Sequence, residues 1–362
     1  MNSAHNTRTQ CGQQNQPSPD RVAAFFDGIF ERQYYTESGP LVRQLEGALA
    51  DLFGTMHVVC VSNPSVAWIM LLEAASIRGP LLIPANAPRP VIEAVSWTRH
   101  ASRLCDISPE NGYRLRLQDL AGVQPEAPGG LIALNPWGGM CDIVGLETFA
   151  ESKGIGVYID SSEALGCRNG EVIAGARGHA EVFSFDARNL INGASGACIA
   201  TQDESLADRL RCMRGSGGIK RAVAVNKTVN GRMSEAQAAY GLMGLECLDE
   251  WIARNRGQHQ LYAEAISDLP EIQLLSCQGV TCSNYQQAVV ACDHPARRAK
   301  LAALLRAQGY YCAELTYGTQ QASPGMRSLE GAALALPLGS GVTTRAIQEI
   351  CRSIIAAVRG AS

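Results

Sequence analysis

The sequence predicts an α/β fold: a mostly parallel central sheet in a large domain, followed by a smaller C-terminal α+β domain. Three observations predict it. Short apolar runs rich in β-formers recur and close in Gly, Pro, Asn or Asp. Helical patterns lie between several of them. From about residue 255 the pattern changes to short strands set among helices. Continuous rather than alternating apolar runs mark strands covered on both faces, as parallel sheets require.

Residues 1–20 are polar, rich in Asn, Gln and Ser, and carry no apolar signal core. They are expected to form a flexible tail. In PLVRQLEGALADLF, residues 40–53, Leu41, Leu45, Leu49 and Leu52 recur at helical spacing. MHVVCVSN reads as a buried strand and Ser65–Ala75 as the helix after it. LLIPAN, GLIALNPWG, GVYIDSS, EVFSFD and GACIAT repeat the strand pattern, with a helix over Asp142–Lys153. One long helix is expected from Ser234 to about Ser267. IQLLSC, QAVVACD, YYCAEL and ALALPL read as strands, Arg297–Ala307 and Thr343–Arg359 as helices. The last helix carries Ile347, Ile350, Cys351, Ile354, Ile355 and Val358 on one stripe, with Thr343 as its N-cap. The large domain is placed at 21–254 and the small one at 255–362. Function in such sheets gathers at the carboxyl ends of strands.

Composition excludes some classes. Apolar residues make up 46 % of 362, enough for a sizeable core. A net charge of -3 with no basic run argues against a nucleic-acid partner. No apolar run approaches the length of a membrane span, and a cytoplasmic location is expected. The 13 cysteines are scattered, and Cys60, Cys105, Cys167 and Cys198 read as buried free thiols. Cys277, Cys282, Cys292 and His294 lack the tight pairs of a metal site, so no metal is expected.

Six stretches in order carry a resemblance: YYTESGPLVRQLEGALADLFG, NPWGGMCDIVGL, YIDSSEALG, EVFSFDARNL, VNGRMSEAQAAYGLMGLECLDEWIARNR and LALPLGSGVT. Across residues 34–358 the chain resembles the DegT/StrS family of sugar aminotransferases, fold-type I pyridoxal-phosphate (PLP) proteins. It is most similar to those acting on nucleotide-linked keto-sugars. The resemblance implies a fold-type I aminotransferase-like large domain and a homodimer with its active site at the interface.

It also implies roles for particular positions. Ser184 stands where the family's serine meets the cofactor phosphate. The family's Schiff-base lysine falls on Asn189, or on Arg188 one residue earlier, and neither side chain forms an imine. The only lysines are Lys153, Lys220, Lys227 and Lys300. The phosphate cup is Asn63-Pro64-Ser65, and proline has no N–H to offer. Pro88 takes the place of the stacking aromatic. Asp160 matches the aspartate that pairs with the pyridinium, and Glu163 stands where Gln or His touches the phenolate oxygen, which its charge would repel. The loop from Arg214 to Arg232, with Lys220, Arg221, Lys227 and Asn230, would reach the neighbour's phosphate region and hold an anion such as a nucleotide diphosphate.

These departures lead to the expectation of no cofactor, with PLP or its aminated form PMP as the alternative. The first reading is a PLP-independent enzyme of specialised metabolism using acid–base catalysis in the former cofactor pocket. Asp160 and Glu163 would share a proton, Arg188 and Asn189 would bind an anionic or carbonyl group, and His179 would titrate near neutrality. Ser184, Ser65, Asn63, Pro88, Trp137, Lys220, Arg221 and Asn230 would bind substrate. Each has a plainer reading: Asp160 as a turn cap, Glu163 and Arg188 as ion pairs, Asn189 as filler, His179 in local hydrogen bonding, Trp137 as packing. The second reading is a dehydratase or aminotransferase-like enzyme holding PMP without a lysine. The third is a non-catalytic subunit forming a heteromer with an active homologue.

Overall fold

A computed structural model describes residue 13 and residues 15–115, 117–121, 129–215, 222–313, 315, 317 and 323–359. In chain order the first elements are α1 (Pro19–Arg32), α2 (Pro40–Phe53), β1 (His57–Val61), α3 (Pro64–Ala74), β2 (Leu81–Pro84), α4 (Arg89–Thr98) and β3 (Ser102–Cys105). A 3-10 turn at Pro109–Asn111 leads to α5 (Leu117–Ala121), β4 (Gly130–Leu134), α6 (Ile143–Lys153) and β5 (Gly156–Asp160). The short hairpin β6 (Arg168–Asn169) and β7 (Val172–Ile173) precedes β8 (Ala180–Ser184), β9 (Ala197–Thr201) and α7 (Glu204–Arg214). Then come α8 (Glu235–Glu246), α9 (Leu248–Ile266), β10 (Ile272–Leu274), β11 (Ala288–Cys292), α10 (Pro295–Ala307), α11 (Pro324–Ala332), β12 (Ala333–Leu336) and α12 (Thr344–Arg359).

The central sheet has seven strands in the order β1-β9-β8-β5-β4-β2-β3. The pairings among β3, β2, β4, β5 and β8 are parallel, and β9 runs antiparallel to both of its neighbours. Every residue of β2, β4, β5, β8 and β9 is buried. This agrees with the continuous apolar runs: a strand with helices on both faces has no solvent side to mark with polar residues. The small domain is a three-stranded antiparallel sheet, β10-β11-β12, against which α9, α10 and α11 lie, with α12 packed on α9 and α10.

Three elements depart from the expectation. The long helix breaks at Cys247 (φ -101°, ψ 4°), which ends α8 and starts α9. One residue off the helical basin scarcely disturbs the apolar period, so it leaves no mark in the pattern. In YYCAEL, whose Glu314 lies outside the described residues, Ala313 makes an isolated bridge to Ala335, and the described residues form no strand. Of the expected N-terminal tail, residues 1–12 and 14 lie outside the described residues; Gln13 and Asn15 are fully buried, and Asn15 Nδ2 donates to the Leu190 carbonyl at 2.9 Å. Carboxamides can be buried when both their donors and their acceptor are used.

The SEAQ segment shows how the helices are fixed. Ser234 and Gln237 close a capping box at the start of α8. Glu235, fully buried, crosses to α2 and accepts from the Leu41 N–H at 3.0 Å and the Val42 N–H at 3.1 Å. It caps α2 in place of Gly39, which has no side chain, and an anion suits a helix N-terminus. A Cβ on Gly39 would lie 2.5 Å from that carboxylate, so glycine is required there.

Candidate active site

A cavity of about 500 Å³ opens at the carboxyl ends of β2, β4, β5 and β8, where residues of the small domain close over it. Its walls include Asn86, Arg89, Asn135, Trp137, Asp160, Glu163, Ser184, Arg188 and Asn189 from the large domain. Gln286, Gln287, Leu315 and Tyr317 come from the other side.

Asp160 ends β5 and is 8 % exposed. Its Oδ2 accepts from the Trp68 indole N–H at 3.1 Å and its Oδ1 from the Ser162 N–H at 3.1 Å. Trp68 lies on α3, wholly buried, so the carboxylate is held between two elements distant in sequence. Burial raises the Asp160 pKa, and the bonds from Ser162 and Trp68 pull the other way. Both donors are neutral.

Glu163 organises the turn that follows β4. Its Oε2 accepts from the Trp137 N–H at 2.7 Å, and its carbonyl accepts from the Gly138 N–H at 3.1 Å. Gln287 Nε2 donates to its Oε1. Trp137 (φ 56°) and Gly138 (φ 72°) are both left-handed, and for tryptophan that conformation is strained. The bond to Glu163 is one of the contacts that hold it. Removal from water pushes the Glu163 pKa up to about 7; the Trp137 N–H opposes this and the Asp160 charge adds to it. Near neutrality Glu163 is therefore partly a neutral acid, able to donate to an oxygen rather than only repel one. Asp160 and Glu163 face the same cavity, each held by its own donors.

At the end of β8, Ser184 Oγ accepts from the Asp186 N–H at 3.2 Å and keeps its own proton to donate. The Asn189 carboxamide donates to the Ser184 carbonyl at 2.9 Å and accepts from Gln286 Nε2 at 3.1 Å. Arg188 is exposed at the rim, and Pro88, the N-cap of α4, lines the wall. Two buried polar atoms on the wall have no hydrogen-bond partner among the described residues: Asn86 Oδ1 and the Tyr317 hydroxyl. Such atoms mark a place where a ligand would complete the bonding.

Behind Asp160 lies a second buried acid. Glu181, 1 % exposed, accepts from Ser161 Oγ at 2.5 Å and from the Arg177 N–H at 3.0 Å, while Asn135 Nδ2 donates to Ser161 Oγ at 2.9 Å. Burial raises its pKa from 4.5 to about 7 against the pull of the Ser161 hydroxyl. The folded protein thus binds this proton more tightly than the unfolded chain. Its stabilisation is complete below the unfolded value and is lost as pH rises to about 7. Glu181→Gln is expected to remove that loss, on the order of 2–3 kcal/mol between acid and neutral pH. Urea midpoints of wild type and variant across this range test it. Parallel curves would show that Glu181 does not titrate there.

Several expected site residues are not among those lining this chain's own cavity. His179 precedes the amino end of β8, roughly 15 Å along the strand from the cavity. It is exposed there, and its Nδ1 accepts from the Val157 N–H at 3.3 Å. Strand direction excludes it from the site. Asn63 is the N-cap of α3, accepting from the Val66 N–H at 2.9 Å, and Ser65 Oγ donates to Glu93 at 3.1 Å. The Asn63 and Ser65 side chains thus have internal partners, while Pro64 between them lines the cavity. Asn230 is exposed and accepts from Arg232 Nε at 3.0 Å. Lys220 and Arg221 lie outside the described residues. Of the other loop cations, Lys227 pairs with Glu73, Arg232 with Glu37, and Arg214 with Glu46. Trp68, Gln286, Gln287, Tyr317 and Asn86 were missed. The two adjacent glutamines before β11 were the available signal; the others owe their place to packing across the sheet.

The fold is that of a fold-type I aminotransferase-like α/β protein, with a cavity at the strand ends. The DegT/DnrJ/EryC1/StrS aminotransferase family model matches residues 20–355, and the chain belongs to that family. It is 21 % identical over 307 residues to a dTDP-4-amino-4,6-dideoxy-D-glucose transaminase of Shigella dysenteriae, covering 84 % of this chain and 83 % of that one. Its structure is similar to DesI crystallised in the presence of its TDP-sugar product, with a TM-score of 0.88, 27 % identity, and coverage of 98 % of this chain and 94 % of that one. The aminotransferase TlmJ of Streptoalloteichus hindustanus shares the fold at a TM-score of 0.87 and 19 % identity, covering 98 % of this chain and all of that one.

These findings overturn the expectation of a cofactor-free pocket. The family and its solved members are sugar aminotransferases of the PLP fold, and PLP or PMP is the supported cofactor. The residues present fit a non-covalently held cofactor. A buried carboxylate with only neutral donors would accept a ring N–H, Ser184 has a hydroxyl proton for a phosphate, and two wall atoms are unpartnered. Among the described residues the cavity lining contains no lysine.

Proposed function

We propose that this protein is a sugar-modifying enzyme that works with PMP, held without a covalent tether, on a nucleotide-linked keto-sugar. The observation that carries the reading is Asp160: a buried carboxylate on the cavity wall whose hydrogen-bond donors, Trp68 and Ser162, are both neutral. A cationic ring N–H is the group that would offset its desolvation. The aminotransferase relatives support the cofactor class, and the TDP-sugar named with DesI supports the substrate class.

When bound, PMP supplies a primary amine and an electron-accepting ring. Asp160 would hold the ring nitrogen's proton. Ser184 would donate to the phosphate, with Arg89 and Arg188 at the rim for further anionic groups. Glu163, titrating near 7, would hold or release a proton at its carboxyl oxygens beside the reacting end. Asn189 would offer a neutral donor and move no proton, which separates this site from one built on lysine. The reading includes a homodimer, with the loop around Asn230 facing the neighbouring cavity.

Calorimetric titration of the purified protein with PMP tests this. Saturable binding is expected, and Asp160→Ala should weaken it about 10- to 100-fold, the worth of one charge-assisted bond. A wild-type protein that takes up neither PMP nor PLP at millimolar concentration would refute the reading.

A further inference from the structure

The carboxamide of Asn189 is oriented by a chain of bonds whose polarity is set by the backbone. The Leu190 N–H can only donate, and it does so to Gln286 Oε1 at 3.1 Å. The Gln286 side chain, 1 % exposed, must then turn its Nε2 toward Asn189, which answers with Oδ1 at 3.1 Å. From the other side the Ser184 carbonyl can only accept, and it takes one N–H of Asn189 at 2.9 Å. Two independent backbone groups thus enforce the same orientation. The second N–H of Asn189 is left for the cavity that this residue lines.

Gln13, fully buried, braces the assembly. Gln13 Nε2 donates to the Gln286 carbonyl at 2.8 Å, and the Gln13 N–H donates to the Arg188 carbonyl at 3.2 Å. The loop carrying Asn189 and the strand entry carrying Gln286 are therefore clamped by a third segment from the start of the chain.

We infer that Gln286 is a positioning residue, which acts by presenting the free Asn189 N–H to an acceptor at the reacting end of the ligand. The acceptor class is an oxygen or an uncharged amine with a lone pair, since an N–H donor does not serve a cation and a carboxamide transfers no proton. The inference rests on the proposed PMP reading for its ligand but not for its geometry.

Gln286→Glu tests it. As a neutral acid, glutamic acid has both a donor for Asn189 Oδ1 and an acceptor for the Leu190 N–H. Once ionised it only accepts, and it repels Asn189 Oδ1. Arg188, Asp160 and Glu163 surround the site in both proteins, so the quantity read is the ratio of variant to wild-type Kd for PMP. That ratio is expected to rise roughly fivefold to tenfold between about pH 5 and pH 8. A ratio flat across that range, in proteins that both bind PMP, would overturn the inference. If wild type binds neither PMP nor PLP, the functional reading fails and the clamp is judged alone by hydrogen exchange. Faster exchange at Leu190 in Gln286→Leu, with protection kept at low pH in Gln286→Glu, supports it. Unchanged exchange at Leu190 in Gln286→Leu overturns it.

Discussion

Asn189→Lys is expected to acquire a covalent link to PLP that the wild type lacks. Residue 189 lines the cavity five residues beyond Ser184, at the loop that leaves β8. A lysine there would place a primary amine in a partly desolvated cavity beside Arg188, and both features favour its neutral, nucleophilic form. Incubation with PLP, reduction with borohydride and intact-mass measurement should show one added pyridoxyl phosphate on the variant and none on wild type. The substitution leaves the Ser184 carbonyl and Gln286 Nε2 without their partner, at about 1–3 kcal/mol for each buried group left unpaired. A thermal melt must therefore accompany the mass measurement. A folded variant that binds PLP but gains no reducible adduct would show that position 189 does not face the cofactor's reacting carbon.

Removal of Glu46 is expected to be the most damaging change to stability. Arg214, 1 % exposed at the end of α7, donates to Glu46 at 2.6 Å, to the Cys60 carbonyl at 2.7 Å and to Ser38 Oγ at 2.6 Å. Glu46 also accepts from the Cys60 N–H at 2.9 Å. Guanidinium does not shed its proton to escape burial. Glu46→Ala therefore leaves a buried charge without its carboxylate and an edge N–H without its acceptor. The expected loss is about 3–5 kcal/mol in denaturant unfolding. The double variant Glu46→Ala, Arg214→Met should recover much of that loss, because the uncompensated charge leaves with the arginine. If Glu46→Ala alone costs less than about 1 kcal/mol, water reaches the pair and the buried-charge argument fails.

The Arg214 result also explains a limit of reading the chain. In one dimension Arg214 is the first of five cations approaching the NGRM segment and looks like part of an anion-binding loop. In three dimensions its charge is spent inside the large domain on a glutamate 168 residues away. Charge alone does not reveal whether a residue's partner is a ligand or the protein.

Local features of the sequence determined the alternation of elements, the placing of Asp160 and Ser184 at strand ends, and that of Asn189 in the loop after β8. They also identified the chain as an aminotransferase relative. These are short-range properties: periodicity, turn residues and motif order are set by neighbours along the chain. The tertiary structure decided which groups meet. It joined Trp68 to Asp160 and Gln287 to Glu163, bound Asn189 to Gln286, buried Gln13 in the clamp, and sent His179 to the far end of its strand. Hydrogen-bond partners and desolvation depend on how sheet, helices and small domain pack together, and that packing brings into contact residues separated by about 90 to 270 positions.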